Sequence, residues 1–295
     1  MIHYTHCPVC KSDHIAVQFP AKDFTVSQQD FPIWRCSECT AAFTQDIPSQ
    51  DAIGAFYASA DYISHSDTKK GFINSLYHMV RKRTLHSKLR LVINETALMK
   101  GDVLDIGCGT GAFIHTMKQA GWNITGLEPD INARKKAVEL YSVQPFASDV
   151  LFEFAPSSFH AITMWHVLEH VHELHAYMKQ IAKILAPGGK IFIAVPNYTS
   201  CDARTYKQYW AAYDVPRHLY HFSPKSMELL LAQYNLKLLK CKPMWFDSFY
   251  VGMLSERYKN GRGNIIRACW NGFISNLAAL FNYRKCSSVI YVIGK

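Results

Sequence analysis

The segment VLDIGCGTGAFI, residues 103–114, joins a short apolar strand to the first turn of a helix. Three glycines fall at alternate positions where the strand ends: Gly107, Gly109 and Gly111. Because glycine adopts positive φ and has no side chain, this backbone can turn sharply and lie against a bound molecule. A second strand then ends in ITGLEPD, residues 124–130, whose acid Glu128 can hold the hydroxyls of a ribose. The pattern predicts a nucleoside-binding α/β crossover.

The spacing of the glycines separates two kinds of nucleotide site. The dinucleotide fingerprint is GxGxxG and places a pyrophosphate at the helix N-terminus. Here the third glycine of that fingerprint is missing from its offset, and Asp105 lies just before the turn, inside the strand. A carboxylate at this position repels a pyrophosphate but attracts a ligand that carries an amino group. The sequence therefore favours a cationic ligand with a nucleoside part.

These residues, with the motifs that follow over about residues 100–240, resemble the class I S-adenosylmethionine (SAM) methyltransferases. The resemblance implies a Rossmann-like α/β fold with a seven-stranded sheet of order 3-2-1-4-5-7-6, and SAM as the cofactor. It implies that the acid and glycines of the first motif line the methionine part of SAM, while the acid after strand two holds its ribose. The predicted cofactor-binding residues are Asp105, Gly107, Cys108, Gly109, Gly111, Glu128, Pro129, Asp149 and His166.

Two of these residues are assigned from their places at strand ends. Asp149 follows a predicted third strand, 143–147, where the family commonly places an acid against the adenine amino group; a helix-capping role is the alternative. His166 follows a predicted fourth strand, 160–165, at the edge where open α/β sheets bind ligands. His160 stands where many relatives carry an Asp, so no role is transferred to that position.

The segment WHVLEHV, residues 165–171, contains the string HxxEH, which is reminiscent of an inverted zincin motif. A metallopeptidase would need a helix with His166 and His170 on one face and a third ligand. Here the segment leaves a strand end instead. We therefore expect no catalytic metal at these residues.

Four cysteines near the N-terminus form two CxxC pairs separated by 25 residues: Cys7, Cys10, Cys36 and Cys39. Two such turns can complete a tetrahedral S₄ site, and the residues between them alternate as short strands. The pattern predicts a zinc ribbon over residues 1–48. Because four thiolates leave no open coordination position, we expect the zinc to be structural. A redox CxxC pair or chance spacing is the alternative.

Residues 49–99 are predicted to form a helical linker that caps the cofactor pocket, with helical spacing of apolar residues over 71–99. In class I methyltransferases the segment before the first strand usually lies over the SAM pocket. Tyr62 and His65 are therefore candidates for the pocket wall, and surface residues are the alternative.

Residues 206–224 are dense in aromatic, His, Asp and Arg residues and lie where small-molecule methyltransferases build the acceptor site. The string HL-x-x-FS resembles a segment of zinc-ribbon-bearing enzymes that methylate nucleotide-linked deoxysugars. That resemblance implies that His218 is a general base, and a neutral imidazole suits the removal of a hydroxyl proton. His221 and Tyr213 are the further catalytic candidates. Anchoring of the loop by these histidines is the alternative.

The last two strands, 236–241 and 288–293, normally form a hairpin in this family, but here about 45 residues intervene. The domain prediction is therefore a SAM-dependent methyltransferase domain over 100–295 with a helical insertion at about 245–285. Large apolar residues recur in the insertion at helical spacing. We expect this face to pack on the domain or across a dimer; a peripheral membrane contact through 262–284 is the alternative.

Composition bounds the function classes. The chain has 295 residues, 49% hydrophobic residues and 19% charged residues, as in an ordinary globular protein. Residues 1–20 do not resemble a signal peptide, no transmembrane helix is expected, and nine cysteines suit a reducing cytoplasm.

The predicted function is SAM-dependent methylation of a small-molecule acceptor, as a monomer or homodimer. We expect the acceptor to be a sugar nucleotide or a cell-envelope glycan. An RNA methyltransferase is the first alternative, suggested by the net charge of +9 and the zinc ribbon. A zinc-ribbon interaction protein with a vestigial SAM pocket is the second.

Overall fold

The computed structural model describes residues 1–57 and 72–295, and its description of side chains in the second range begins at residue 80. The strands are β1 (Ile15–Lys22), β2 (Asp30–Cys36), β3 (Ala42–Thr44), β4 (Asp102–Ile106), β5 (Asn123–Leu127), β6 (Phe159–Trp165), β7 (Leu185–Pro196), β8 (Tyr220–His221), β9 (Lys237–Pro243) and β10 (Ser288–Gly294). The α-helices are α1 (Phe72–Thr96), α2 (Ala112–Gln119), α3 (Ile131–Tyr141), α4 (Leu174–Ile184), α5 (Cys201–Tyr206), α6 (Pro224–Ala232), α7 (Asp247–Asn260) and α8 (Ile265–Phe281).

The alternation of strands and helices from β4 onward builds one mixed sheet of order β5-β4-β6-β7-β10-β9. Strands β5, β4, β6 and β7 are parallel, and β10 runs antiparallel to both of its neighbours, β7 and β9. Successive residues of β4 face opposite sides of the sheet, so that Val103 and Leu104 enter two different apolar clusters. Parallel strands end at one common edge, and this edge receives the segments that follow β4, β5 and β6. The predicted α/β fold class is confirmed.

The predicted third strand at 143–147 is reduced to one parallel bridge between Leu127 and Phe146. Pro145 lies within this segment and has no N–H to donate to a ladder, which limits the pairing. The main sheet therefore has six strands within the described residues, and the outer position expected from the family order holds a single bridge.

The N-terminal module does not stand apart from the rest of the chain. Its three strands belong to a second sheet of order β1-β2-β3-β8. The fourth strand of this sheet, β8, comes from the segment 206–224. Further contacts come from His175, whose Nε2 bonds to the Pro8 carbonyl at 2.9 Å. The zinc-ribbon module and the loop at 206–224 consequently share one hydrogen-bonded unit. The boundary at residue 48 stays a prediction.

The segment between β9 and β10 contains the helices α7 and α8, and the packing of α8 differs from the expectation. Small residues of α8 are buried, whereas its large apolar residues are exposed. Small side chains allow the two helix backbones to approach closely. The large apolar residues then lie on the outer face of α8 and form an apolar stripe: Ile265, Ile266, Trp270, Phe273, Ile274, Leu277, Leu280 and Phe281. The expectation that the stripe packs on the described part of the domain is wrong. None of the helices in the described ranges is long and apolar enough to cross a bilayer.

Candidate functional site

The turn after β4 is held in place by its own backbone. The N–H groups of Gly107 and Cys108 donate to the carbonyl of Leu127 at 2.7 and 2.9 Å. Gly107 has φ +72°, and a Cβ at this position would overlap Cγ2 of Val167. Gly111 has φ +81° and lies against α3. The turn therefore requires glycine both for its backbone conformation and for space.

Glu128 closes one side of this turn. Its Oε2 accepts the N–H of Gly109 at 2.8 Å, and its Oε1 accepts the N–H of Asp130 at 2.9 Å. Burial raises the pKa of Glu128, although these two N–H groups act in the opposite direction. A Cβ on Gly109 would meet no protein atom within 4 Å, so there is open space beside the carboxylate. Each carboxylate oxygen keeps a further lone pair that can accept a ribose hydroxyl.

Asp105 lies beneath the turn and is only 2% exposed. Its Oδ1 accepts a hydrogen bond from Oγ1 of Thr163 at 2.5 Å. Burial raises the pKa of Asp105 to about 7, against the opposing effects of Thr163 and Lys88. Nζ of Lys88 lies 4.3 Å from the ring centroid of Trp165, and burial lowers the pKa of this lysine. A role for Lys88 at this site could not be predicted from the sequence, because Lys88 lies on α1, outside the glycine motif.

The remaining predicted cofactor residues differ in exposure. Cys108 is buried, and burial raises its thiol pKa, so this residue contributes its backbone to the turn. Pro129 is exposed, and so is Asp149, which lies in the 3₁₀ turn Ser148–Glu153. Phe146, which the sequence analysis missed, is 50% exposed, and its carbonyl accepts the N–H of Glu128 at 2.9 Å. An exposed ring beside the ribose acid offers a stacking surface for a base.

His166 occupies the end of β6 with φ +59°. Its Nδ1 lies 3.3 Å from Oε1 of Glu169, and its Nε2 lies 3.0 Å from Oδ2 of Asp247 at the start of α7. Burial disfavours the imidazolium, but the two carboxylates outweigh burial and raise the pKa of His166 to about 10. His166 is therefore a cation at neutral pH. Asp247 was not identifiable from sequence, because it reaches the site from the insertion.

His218 packs against the segment that follows β6. Its Nδ1 lies 2.8 Å from the carbonyl of Ala212, and its ring lies edge-to-face with His170 at 4.6 Å between centroids. The neighbouring residue Leu219 donates its N–H to the carbonyl of Glu169 at 2.7 Å. Burial lowers the pKa of His170 to about 4. The structure thus brings the predicted base to the strand edge that carries Glu169.

Glu169 is fully buried, and its Oε2 has no hydrogen-bond partner among the residues that the structure describes. One ligand atom from each of Glu169, His170 and His218 lies within 4.8 Å of the others, a donor set that could also hold a cation. The sequence analysis considered His166 and His170 as ligands and expected no catalytic metal there; this set contains Glu169 and not His166. His218 comes from a distant part of the chain and supplies the third position.

The other two catalytic candidates lie deeper, against the N-terminal module. Nε2 of His221 is 3.1 Å from Oγ1 of Thr44, and burial lowers the pKa of His221 well below its usual value. Tyr213 is buried against Phe19 and Trp210, and burial raises its pKa. Both residues thus contact the N-terminal module, through Thr44 and Phe19.

A buried ion cluster also joins the ribbon to this loop. Arg217 is 1% exposed, and its Nη2 lies 3.0 Å from Oδ1 of Asp23 and 2.6 Å from Oδ1 of Asp214. Nη1 of Arg217 donates to the carbonyl of Phe56 at 2.8 Å. The residues adjacent to His218 are therefore fixed by charges from two separate parts of the chain. Tyr62 and His65, the predicted pocket-wall residues, lie outside the described residues.

The four N-terminal cysteines converge. Sγ of Cys7 lies 3.6 Å from Sγ of Cys39, and Sγ of Cys10 lies 3.6 Å from Sγ of Cys36. A tetrahedron with Zn–S bonds of about 2.3 Å has S–S edges of about 3.8 Å. The four thiols lie within 4.8 Å of one another and none forms a disulfide, so the donor set fits structural zinc.

A family model described as "Methyltransferase domain" matches residues 78–240, more than half of the chain. The ubiquinone biosynthesis O-methyltransferase of Idiomarina loihiensis is 36% identical over 118 residues, which are 37% of this chain and 49% of that protein. The protein of the same name from Xanthomonas euvesicatoria is 31% identical over 121 residues, 38% of this chain and 50% of that protein. The chain thus spans about half the length of the curated relatives it matches.

Two solved structures show the same fold. The magnesium protoporphyrin IX methyltransferase of Synechocystis, crystallised with S-adenosylhomocysteine, superposes with a TM-score of 0.52 at 13% identity over 80% of this chain and 95% of that one. A SAM-dependent methyltransferase from Archaeoglobus fulgidus superposes with a TM-score of 0.50 at 16% identity over 76% of this chain and 100% of that one. At such identities the likeness concerns the fold alone.

Proposed function

The chain belongs to the methyltransferase-domain family, and on this premise we propose that it transfers a methyl group from SAM to a hydroxyl group of a small-molecule acceptor. One observation carries the proposal: a single sheet edge joins the glycine turn and Glu128 to the segment against which His218 packs. A nucleoside-binding part and a proton-accepting part therefore meet at one place. This is the arrangement that a transfer between two bound molecules needs.

The nucleoside part fits SAM through shape and charge. Glu128 faces the open space at Gly109 and offers lone pairs for ribose hydroxyls. Asp105 lies beneath the turn, where an ionised carboxylate would attract the amino group of the methionine part. When bound, SAM supplies an electrophilic methyl group on a sulfonium. These groups are intact, which argues against a vestigial pocket.

The acceptor hydroxyl must lose its proton as it attacks, and His218 is placed to accept it. Donation from Nδ1 to the carbonyl of Ala212 leaves the lone pair on Nε2. Glu169 lies in the same cluster, its Oε2 has no hydrogen-bond partner within the described ranges, and its negative charge would stabilise the imidazolium that forms. Neutral His170 beside it adds no competing charge, because its pKa is about 4. His218 is therefore our choice of base, oriented by the Ala212 carbonyl, with Glu169 as the nearby carboxylate that favours its charged form.

Oxygen is the proposed methylated atom, because the curated relatives are named O-methyltransferases. Their name concerns ubiquinone biosynthesis and lends no support to a glycosidic acceptor. A sugar nucleotide or glycan, expected from the HL-x-x-FS string, stays a prediction. The RNA alternative gains nothing from the comparisons.

A screen with isotopically labelled SAM tests this function. We expect a mass shift in one class among sugar nucleotides, cell-envelope glycans and hydroxylated aromatic compounds, with total RNA as a parallel arm. Glu128→Ala serves as the matched blank because it removes the ribose acid. Label in RNA alone would replace the proposal with RNA methylation. Calorimetry that detects no SAM binding to the wild type would remove methyl transfer altogether.

The titration of Asp105 predicts a pH dependence of SAM binding. Its carboxylate gains charge as the pH rises through about 7, because burial has raised its pKa. We therefore expect SAM affinity to increase on the order of 10-fold between about pH 6 and about pH 8, measured by calorimetry. Asp105→Asn should bind SAM weakly and without this step. Asp102→Asn, at the opposite end of β4, should keep the wild-type profile, and a flat wild-type profile would contradict the assignment.

A further inference from the structure

Helices α7 and α8 form a hairpin in which α8 buries its small side chains and exposes its large apolar ones, whereas an ordinary surface helix buries its large apolar side chains. The buried residues of α8 are small: Ala268, Gly272, Ser275 and Ala279. Ala268 and Gly272 face α7: a Cβ on Gly252 would lie 3.2 Å from the carbonyl oxygen of Ala268, and a Cβ on Gly272 would overlap the ring of Phe249. Oγ of Ser248 also lies 3.3 Å from the Gly272 carbonyl oxygen. Close packing through small residues is typical of helices whose outer surfaces meet lipid.

The large apolar side chains of α8 point away from the protein. The most exposed are Phe281 at 87%, Ile266 at 85%, Leu280 at 68%, Ile265 at 68% and Trp270 at 62%. Between Ala268 and Phe281 the helix carries no charged residue. A 17-residue helix is about 26 Å long, so this stripe is far larger than the isolated apolar residues of a normal surface.

Hydrogen bonds to a buried carboxylate prevent α8 from rotating about its axis to bury this stripe. Oγ of Ser275 donates to Oδ1 of Asp202 at 3.0 Å, and Oγ of Ser287 donates to Oδ2 at 2.7 Å. Trp210 donates its Nε1 proton to the same carboxylate at 2.8 Å. Asp202 is 1% exposed, so turning α8 would leave a buried acid with fewer partners. The outward direction of the stripe is therefore a property of the fold.

The charged residues around the stripe are mostly basic, although Arg284 pairs with Glu228 and Arg267 with Glu256. Residues 245–285 contain six basic residues and two acids. Of the acids, Asp247 pairs with His166 and Glu256 is 1% exposed. Exposed basic residues lie at both ends of α8, among them Arg262 and Lys285. An apolar stripe with basic ends is complementary to a surface that combines acyl chains with negative headgroups.

We propose that the exposed face of α8 docks on the surface of an anionic lipid bilayer. The helix lies flat in the interface, with Trp270 and Leu280 in the acyl boundary and the basic ends against the headgroups. A second copy of the chain is the less suitable occupant, because a two-fold contact would bring like charges together. This interaction does not depend on the identity of the acceptor.

Vesicle flotation of the full chain tests the proposal. The wild type should float with vesicles of phosphatidylcholine and phosphatidylglycerol in equal parts, and binding should weaken in high salt. The triple variant Trp270→Gln, Leu280→Gln and Phe281→Gln should lose at least about 10-fold in partition coefficient. The double variant Arg262→Gln and Lys285→Gln should lose about 30-fold, since each of the two basic residues near such a surface contributes about 1 kcal/mol.

Matched controls use the exposed face of α3. Ile131→Gln, Val138→Gln and Leu140→Gln remove three exposed apolar residues elsewhere and should leave flotation unchanged. Circular dichroism checks that every variant is folded. Failure of the wild type to bind anionic vesicles, or equal loss in the α3 control, overturns the proposal. So does sedimentation in which the triple variant dissociates a wild-type dimer without affecting flotation, since the face would then join two copies.

Discussion

We expect His218→Ala to lower turnover by about 10²- to 10⁴-fold while SAM affinity stays at the wild-type value. In the proposed function this side chain accepts the proton of the attacking hydroxyl, whereas the predicted SAM-binding residues lie on other segments. Once the labelled screen has identified the acceptor, single-turnover rates and calorimetry measure the two quantities separately. In the variant, the pH–rate profile should also lose the rise in rate with pH that reports deprotonation of the general base.

The control for this prediction is His160→Ala. His160 lies at the opposite end of β6, where its Nδ1 bonds to the N–H of Asp102 at 3.1 Å, so this variant should retain turnover. His221→Ala should mainly lower thermal stability, because His221 is buried against Thr44. Turnover of His218→Ala within about 2-fold of wild type, with SAM bound, would remove the base assignment and favour loop anchoring.

The second large effect concerns the cysteine tetrad. We expect Cys7→Ser to bind no zinc and to lose at least about 3 kcal/mol of unfolding free energy, because structural zinc contributes its binding energy to folding. The loss should extend beyond the ribbon. Strand β3 pairs with β8, and Oγ1 of Thr44 donates to the His218 carbonyl at 2.6 Å. Turnover should therefore fall together with stability.

Cys269→Ser is the matched control, because Cys269 is an exposed thiol on α8, outside the tetrad. It should keep one zinc per chain by mass spectrometry under native conditions and keep the wild-type melting temperature. A Cys7→Ser protein that melts with the control would show that the four thiols are not a structural metal site. A zinc-free wild type would show the same.

How much of the site was predictable depends on where its residues lie in the chain. Asp105, the three glycines and Glu128 belong to one contiguous crossover, so their spacing alone places them at one strand edge. The cysteine pairs are similar, since each CxxC turn carries its own geometry. The expectation of a third strand at 143–147 was only approximate, because Pro145 limits pairing to one bridge. Local chemistry thus accounts for both the successes and this difference.

Residues that meet across the fold were not predictable. Lys88 reaches the pocket from α1, Asp247 reaches His166 from the insertion, and Arg217 meets Asp23 of the ribbon. Each contact joins segments that are far apart in sequence, and the spacing of residues within one segment does not predict contacts with another. The same holds for the direction of α8. Its helical spacing predicts an apolar stripe, but the side on which the stripe lies depends on small residues and the buried Asp202.

The sequence by itself determined the α/β crossover, the nucleoside-binding turn and the S₄ cluster, because each is a local pattern whose spacing sets its backbone geometry. Only the tertiary structure decided which histidines surround the buried carboxylate of Glu169 and which way the apolar helix faces. Those outcomes depend on burial and on long-range hydrogen bonds, which exist only once distant segments have packed together.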